Sequence, residues 1–412
     1  MAQVLVAGGG PSGIAAAVAA ARRGADTTLI ERYGFLGGMA TAGLVNPFMS
    51  WFAGKQPLVA GVLDEMLARM RALGGYDGGA RAPHAFDPEA FKFAADQLCQ
   101  EAGVRVRLHT LVTDVRTRGG RITSLGSSSK SGAERWRARV FIDCTGDADI
   151  AYRAGVPCDH GREKDGLTQP MTLNFRMARV KVARMPERKE MNRLFDIAKA
   201  EGRVHCPREN VLLFFTTQPD VVHFNTTRVT GKSGTSAEDL TTAEFEARRQ
   251  VQELAQFLVR DVAGFERAYL QQSAPQIGIR ESRRIRGDYA LTGKDVVSAR
   301  KFRDAIARSN YPIDIHSPTG SGTVIKEVPE GDYYEIPYRC LLPLGIENLL
   351  VVGRSISSTH EGQSSLRVMP QCFAMGEAAG VAAAMAVKGR ITPRQVDVAA
   401  LRAALREQGQ IV

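Results

Sequence analysis

Three glycines and one acid near the N-terminus carry the first chemistry legible in this chain. Gly8-Gly9-Gly10-Pro11-Ser12-Gly13 has the G-x-G-x-x-G spacing. It follows a short apolar run, Val4-Leu5-Val6-Ala7, that reads as a strand buried on both faces. It precedes an Ala-rich stretch of helix formers from Ile14 to Arg23, stopped by Gly24. A second β-branched run, Thr27-Thr28-Leu29-Ile30, ends in Glu31. Each residue type has a physical task. Gly8 permits the tight turn, Gly10 lets backbone approach a pyrophosphate, and Gly13 lets the helix pack closely on the strand. The helix N-terminus offers free N–H groups and a positive dipole end to phosphate. Glu31 is spaced to accept the two ribose hydroxyls of a dinucleotide, and its charge disfavours a 2′-phosphate.

A second glycine-rich loop follows directly, Arg32-Tyr33-Gly34-Phe35-Leu36-Gly37-Gly38-Met39-Ala40-Thr41-Ala42-Gly43. Further blocks are Phe86-Asp87-Pro88-Glu89, Val140-Phe141-Ile142-Asp143-Cys144-Thr145-Gly146-Asp147, Leu349-Leu350-Val351-Val352-Gly353-Arg354 and Gly376-Glu377-Ala378-Ala379-Gly380. With these blocks the chain resembles the FAD-dependent oxidoreductases that have a glutathione-reductase-type FAD domain, and within them the fumarate reductase flavoprotein-like subgroup. Gly278-Ile279-Arg280-Glu281-Ser282-Arg283-Arg284 and Thr359-His360-Glu361 look more narrowly like a widespread bacterial family of FAD-dependent oxidoreductases. The resemblance implies an FAD site built from Gly8, Gly10, Pro11, Ser12, Gly13, Glu31, Arg32, Gly38, Met39 and Thr41. It adds Val112, Thr145, Gly146, Asp147, Gly353, Arg367 and Gln371 from the later blocks. Asp147 is either a contact of the flavin chain or a helix N-cap, and both can hold. A helix beginning near Pro370 would point its N-terminus at the flavin, favouring negative charge there. The loop after Glu31 has no His or Cys, where relatives with covalent FAD carry a His, so dissociable FAD is expected. No second strand–GxGxxG–helix unit exists for a built-in nicotinamide nucleotide domain.

Three further groups are candidates for the reaction itself. His360, with Arg354, Glu361 and Arg367, follows the strand that ends at Gly353; His360 is a candidate general base or a hydrogen-bonded structural histidine. Arg280, Ser282 and Arg284 would share a face on a strand. There Arg284 and a neighbour could clamp a carboxylate or hydroxyls bidentately, or form a domain-docking seam with Glu281 and Asp288. Asp314 and His316 form a D-x-H pair that lacks a third ligand, so a structural or substrate-facing pair is expected and no metal site. The expected activity is FAD-dependent dehydrogenation of a C–OH or C–N bond in a small organic molecule. The alternatives are reduction of an activated C=C bond, or service in an RNA-modifying or electron-transfer assembly. The external electron donor or acceptor is unspecified.

These side chains must be positioned by an α/β fold: a Rossmann-like FAD-binding domain with a parallel sheet, interrupted by a second, α+β substrate domain. The expected pieces are 1–155 with an insertion at 46–84, a cap at 156–339, and a return at 340–412. Residues 104–125 read as a small antiparallel meander around Gly119-Gly120. In the cap, Met171–Met177, Val211–Thr217 and Val221–Val229 read as strands. Thr242–Leu258 and Lys301–Arg308 read as helices, and 310–333 as loop. Within 412 residues, 54 Lys and Arg exceed 44 Asp and Glu, for a formal charge of +10. The cations are scattered, which argues against nucleic acid as a main partner. Six widely spaced cysteines without a CxxC suit a reducing compartment. The uncharged N-terminal stretch is interrupted by glycines, so neither an export signal nor a membrane span is expected, and the chain reads as cytoplasmic. Homo-oligomerisation stays open.

Overall fold

The computed structural model describes residues 2–79 and 82–412. Ala80 and Arg81, inside the 46–84 segment, lie outside the described residues.

The chain opens with β1 (Val4–Ala7), α1 (Pro11–Arg22) and β2 (Thr27–Ile30). α2 (Pro88–Glu101) leads to β3 (Arg105–Arg107). Then come β4 (Val140–Asp143) and, much later, β5 (Leu349–Val351). α3 (His360–Leu366) and α4 (Met369–Gly389) follow. The five strands form one sheet in the order β5-β4-β1-β2-β3, with every pairing parallel. Every residue of β1, β2, β4 and β5 is buried, as a parallel sheet covered on both faces requires.

Small residues set how the covering helices pack. A Cβ on Gly376 would lie 2.2 Å from the Ser12 carbonyl oxygen, and one on Gly380 would lie 2.2 Å from that of Ala16. α4 therefore lies directly against the backbone of α1, and the Ala-Gly run serves packing. One acid sits inside this layer. Glu377 accepts the Val62 N–H at 3.2 Å and the Gln410 amide at 2.8 Å, and burial pushes its carboxyl up to about 7. A carboxyl raised in the folded state stabilises below its unfolded pKa of about 4.3 and loses that contribution as pH rises through 7. Glu377→Gln should therefore flatten the fall in melting temperature between pH 5 and 8, with a gain on the order of 2–3 kcal/mol at pH 8. An unchanged pH slope in calorimetry would refute this.

The expected meander at 104–125 is displaced: Arg105–Arg107 joins the parallel sheet instead, and the antiparallel strands run from 111 to 136. Leu111–Arg118, Arg121–Ser129 and Gly132–Trp136 form three antiparallel strands, the first pair closed by Gly119-Gly120. Both turn glycines have positive φ, as a tight hairpin needs.

A second core is built from residues between Met171 and Ile279 together with Leu44. Its four-stranded antiparallel sheet runs Leu213–Phe215, Val222–Phe224, Phe175–Ala178, Tyr269–Ser273, shorter than the sequence runs implied. Helix Ala237–Asp261 extends the expected one at both ends, started by the Ser236 hydroxyl accepting the Asp239 N–H. Two expectations are corrected. Lys301–Arg308 is not a helix, because Ala305–Ser309 is a buried strand paired antiparallel with Tyr334–Pro337. The 310–333 segment contains a hairpin, Ile313–His316 against Thr323–Lys326. Leu291 to Leu342 contribute to the first core together with α4, so the body read as 156–339 has its own core only from 171 to 279. Among the described residues no helix is long and apolar enough to cross a membrane.

Candidate functional site

Three hollows run in series from the carboxyl ends of the strands toward the second core. The first, about 40 Å³, is lined by Gly8, Glu31, Arg32, Val112 and Thr145 among others. The second, about 110 Å³, shares Gly8, Glu31, Arg32 and Thr145 with it and adds Gly10, Pro11, Ser12, Gly38, Met39, Gly146 and Gly353. The third, about 370 Å³, shares Met39, Arg354, Arg367 and Met369 with the second. Ligands of open α/β sheets bind at this edge.

The first two hollows fit a dinucleotide. Gly8 has φ +98°, and a Cβ there would lie 2.3 Å from the Cys144 carbonyl oxygen. A Cβ on Gly13 would come within 1.8 Å of the Gly8 carbonyl oxygen, so α1 starts directly against the turn. Glu31 is buried and accepts the Gly9 N–H at 2.5 Å and the Tyr33 N–H at 2.9 Å. Burial raises its pKa, while these backbone donors oppose the rise. Gln371, on the first turn of α4, is fully buried with neither amide atom partnered. Its neighbours Met369 and Cys372 line the second hollow. Orphaned amide atoms beside a groove are what a bound ring carrying donors and acceptors would satisfy.

The structure places three expected cofactor residues elsewhere. Thr41 donates its hydroxyl to the Leu36 carbonyl at 2.9 Å, holding the glycine loop from behind. Gly13 lies under the helix start. Asp147 accepts from Ser282 at 2.7 Å and from Arg354 at 2.8 Å, and lines none of the three hollows. Nor is Asp147 an N-cap. Ala148 holds that position, and Asp143 reaches from the end of β4 to accept the Ile150 and Ala151 N–H groups. Burial pushes the Asp143 carboxyl up to about 6.

The candidate catalytic residues are also redistributed. Only Arg283–Ile285 is strand, so Arg280, Ser282 and Arg284 do not share a face. Arg284 is buried and each of its three nitrogens is engaged: it donates to the Ser358 carbonyl at 3.0 Å, the Gly161 carbonyl at 2.8 Å and the Glu281 carboxylate. Arg284 does not line the large hollow. His360 shares that cluster, with Nδ1 2.8 Å from Glu281, and does not line the large hollow. Arg354 lines it but is tied to Asp147. Arg367 pairs with Asp314 at 3.8 Å rather than with Glu361.

The D-x-H pair is where groups converge. Asp314 and His316 both line the large hollow, 3.6 Å apart, and the Tyr311 hydroxyl donates to Asp314 at 2.8 Å. Burial opposes ionisation of Asp314, but His316, Arg367 and Tyr311 hold its carboxyl well below the usual range. Burial, helped by the Arg280 charge, lowers His316 to about 3, so its ring is neutral. His316 Nδ1 lies 3.3 Å from the Arg228 guanidinium and must accept there, which puts its proton on Nε2, facing Asp314. Arg208, buried, and Arg280, part-buried, line the same hollow. Arg280 donates to Thr172, Asn225 and the Pro170 carbonyl. Arg208 keeps one terminal nitrogen buried and unpartnered. Burial first, then neighbouring arginines, lower both guanidinium pKa values. Arg208, Asn225 and Tyr311 gave no sequence signal, because they come from three separate segments with no shared spacing. Among the described residues no cluster could hold a metal ion.

A family model described as FAD dependent oxidoreductase matches residues 3–405. A search against curated proteins found no match. Among solved structures, a geranylgeranyl bacteriochlorophyll reductase-like protein from Thermoplasma acidophilum is 12% identical, with a TM-score of 0.48 over 99% of this chain and 83% of that one. p-Nitrophenol 4-monooxygenase PnpA from Pseudomonas putida DLL-E4 is 12% identical, with a TM-score of 0.49 over 98% and 83%. The flavin-dependent brominase Bmp2 is 13% identical, with a TM-score of 0.48 over 98% and 83%.

Proposed function

Since the chain belongs to the FAD dependent oxidoreductase family and takes FAD as its cofactor, we propose that it dehydrogenates a C–OH or C–N bond in a small, carboxylate-bearing substrate. The observation that carries this reading is the large hollow, where the buried Arg208 and the part-buried Arg280 meet an ionised acid beside the end of the cofactor groove. FAD supplies the two-electron acceptor. Arg208 has an unspent buried donor and is suited to a substrate carboxylate, with Arg280 alongside it. Asp314 accepts the proton released from the hydroxyl or amine, and Tyr311 and His316 hold its carboxylate in place. Met39, Val45, Pro47 and Met49 give the hollow an apolar wall.

Dissociable FAD fits the loop after Glu31, where Phe35 and Leu36 offer no attachment chemistry. Acid precipitation should release all flavin absorbance near roughly 450 nm into the supernatant. Colour retained in the pellet would show covalent attachment. The substrate reading is tested by anaerobic bleaching of the flavin with 2-hydroxy acids, amino acids, neutral alcohols and neutral amines. Bleaching by acids alone is expected. Bleaching only by neutral compounds would sink the carboxylate assignment. Reoxidation of pre-reduced enzyme by an unsaturated acid, without bleaching by any saturated one, would reverse the direction.

A further inference from the structure

A further large hollow lies far from the groove, and its wall is cationic. It measures about 770 Å³ and is lined by Arg116, Arg121, Arg135, Arg137, Arg139 and Arg390, with no acid. Only two of the six have a carboxylate partner, and it is the same one: Asp114 lies 2.7 Å from Arg135 and 3.9 Å from Arg116. The side chains of Arg121, Arg137, Arg139 and Arg390 form no ion pair among the described residues. Elsewhere most exposed arginines of this chain are paired, for example Arg22 with Glu65 and Arg339 with Asp304. Four unpaired arginines around one concavity repel each other, and a bound polyanion relieves that repulsion. Part of the floor is apolar, from Ala138, Val140, Ala386, Val387 and Ile391.

Position separates this hollow from the redox site. Val140, at the start of β4, lines the cationic hollow, whereas Cys144, just past its end, lines the cofactor groove. Likewise Val387 and Cys372 lie at opposite ends of α4, about 20 Å apart at 1.5 Å rise per residue. A molecule held here is at the amino edge of the sheet, too far to exchange a hydride with a flavin at the carboxyl edge. It is neither substrate nor electron donor by contact.

We propose that this hollow is a binding site for a small polyphosphorylated molecule, with phosphates held by Arg121, Arg137, Arg139 and Arg390. Arginine suits phosphate because its planar fork donates two parallel hydrogen bonds. The hollow is within the size range of small-ligand sites. It has no aromatic lining residue, whereas single-stranded nucleic acid sites stack bases on aromatic rings. A small ligand is therefore favoured over RNA.

Calorimetry of the FAD-loaded protein with ATP, with tripolyphosphate and with a single-stranded oligonucleotide tests the proposal. Saturable binding of ATP or tripolyphosphate that weakens with added salt is expected. ATP binding more tightly would assign a nucleotide, and equal binding would assign the phosphate chain alone. The triple variant Arg137→Ala/Arg139→Ala/Arg390→Ala should weaken binding by at least about tenfold. Its flavin spectrum and turnover should stay unchanged, because none of the three lines the groove or the substrate hollow. Arg280→Ala should not affect polyphosphate binding. The proposal is overturned if neither phosphate compound binds, if the triple variant binds as the parent does, or if the oligonucleotide binds more tightly than both.

Discussion

Asp314→Asn will leave a fully yellow protein whose flavin is reduced about 1000-fold more slowly by whichever acid bleaches the parent. The side chain keeps its shape and can still meet Tyr311, so the loss isolates its proton-accepting charge. Substrate affinity should change far less than rate, since the carboxylate partner is assigned to Arg208 and Arg280. The pH profile adds a second readout. Asp314 is held below the usual carboxylate range and His316 titrates at about 3, so neither produces an inflection between pH 5 and 9 in the parent. Raising the pH will not rescue the variant. Stopped-flow reduction within threefold of the parent rate would remove Asp314 from the reaction and return the role to another group.

Gly13→Ala will give a protein that does not retain FAD and melts well below the parent. The added methyl would lie 1.8 Å from the Gly8 carbonyl oxygen, a backbone atom that cannot swing aside. Relief requires α1 to move off β1. That movement opens the turn meant to approach the pyrophosphate and strains the α1–α4 contact at Gly376 and Gly380. A destabilisation of about 3–5 kcal/mol is expected, within the range of severe core changes. Gly24→Ala is the control. Gly24, unlike the helical Gly13, has positive φ, +83°, but nothing lies within 4 Å of its Cβ position, so only a backbone cost of about 1–2 kcal/mol arises there. Equal FAD retention and melting temperature for the two variants would show that the close approach is not what Gly13 provides.

The contrast between these two predictions mirrors what could be read from sequence. Gly13 belongs to a local pattern: a strand, a turn and a helix within one continuous segment dictate its task. Four strands of the parallel sheet were legible for the same reason, since β1, β2, β4 and β5 are apolar runs closed by glycine or acid, whereas β3, Arg105–Arg107, carries no such signal. The substrate hollow is different in kind. Arg208, Asn225, Arg280, Tyr311 and Asp314 reach one cavity from separate segments, and no spacing rule connects them. Asp314 and His316 were visible as a pair but not as a destination. His360 and Arg284 were each open to a catalytic or a structural role in the sequence, and Glu281 gathers both into one buried cluster that no local spacing announces. Lys301–Arg308 failed because pairing with Tyr334–Pro337 outweighs local helix preference. The excess of basic residues, uninformative as a total, separates into a buried set at the substrate hollow and an unpaired set at the far edge of the sheet.

The order of the strands has a consequence for how the protein is made in a cell. The middle strand, β1, is made well before β5, yet its neighbour β4 must pair with β5, which follows it in the chain only after the whole second core. The cofactor groove likewise needs Gly353, Arg354 and Met369 beside Gly10. A nascent chain that ends before residue 349 has neither the fifth strand nor the floor of the groove. The groove is therefore incomplete until the residues of β5 and the start of α4 have been made, and until then β4 presents an open strand edge of the kind that invites wrong pairing.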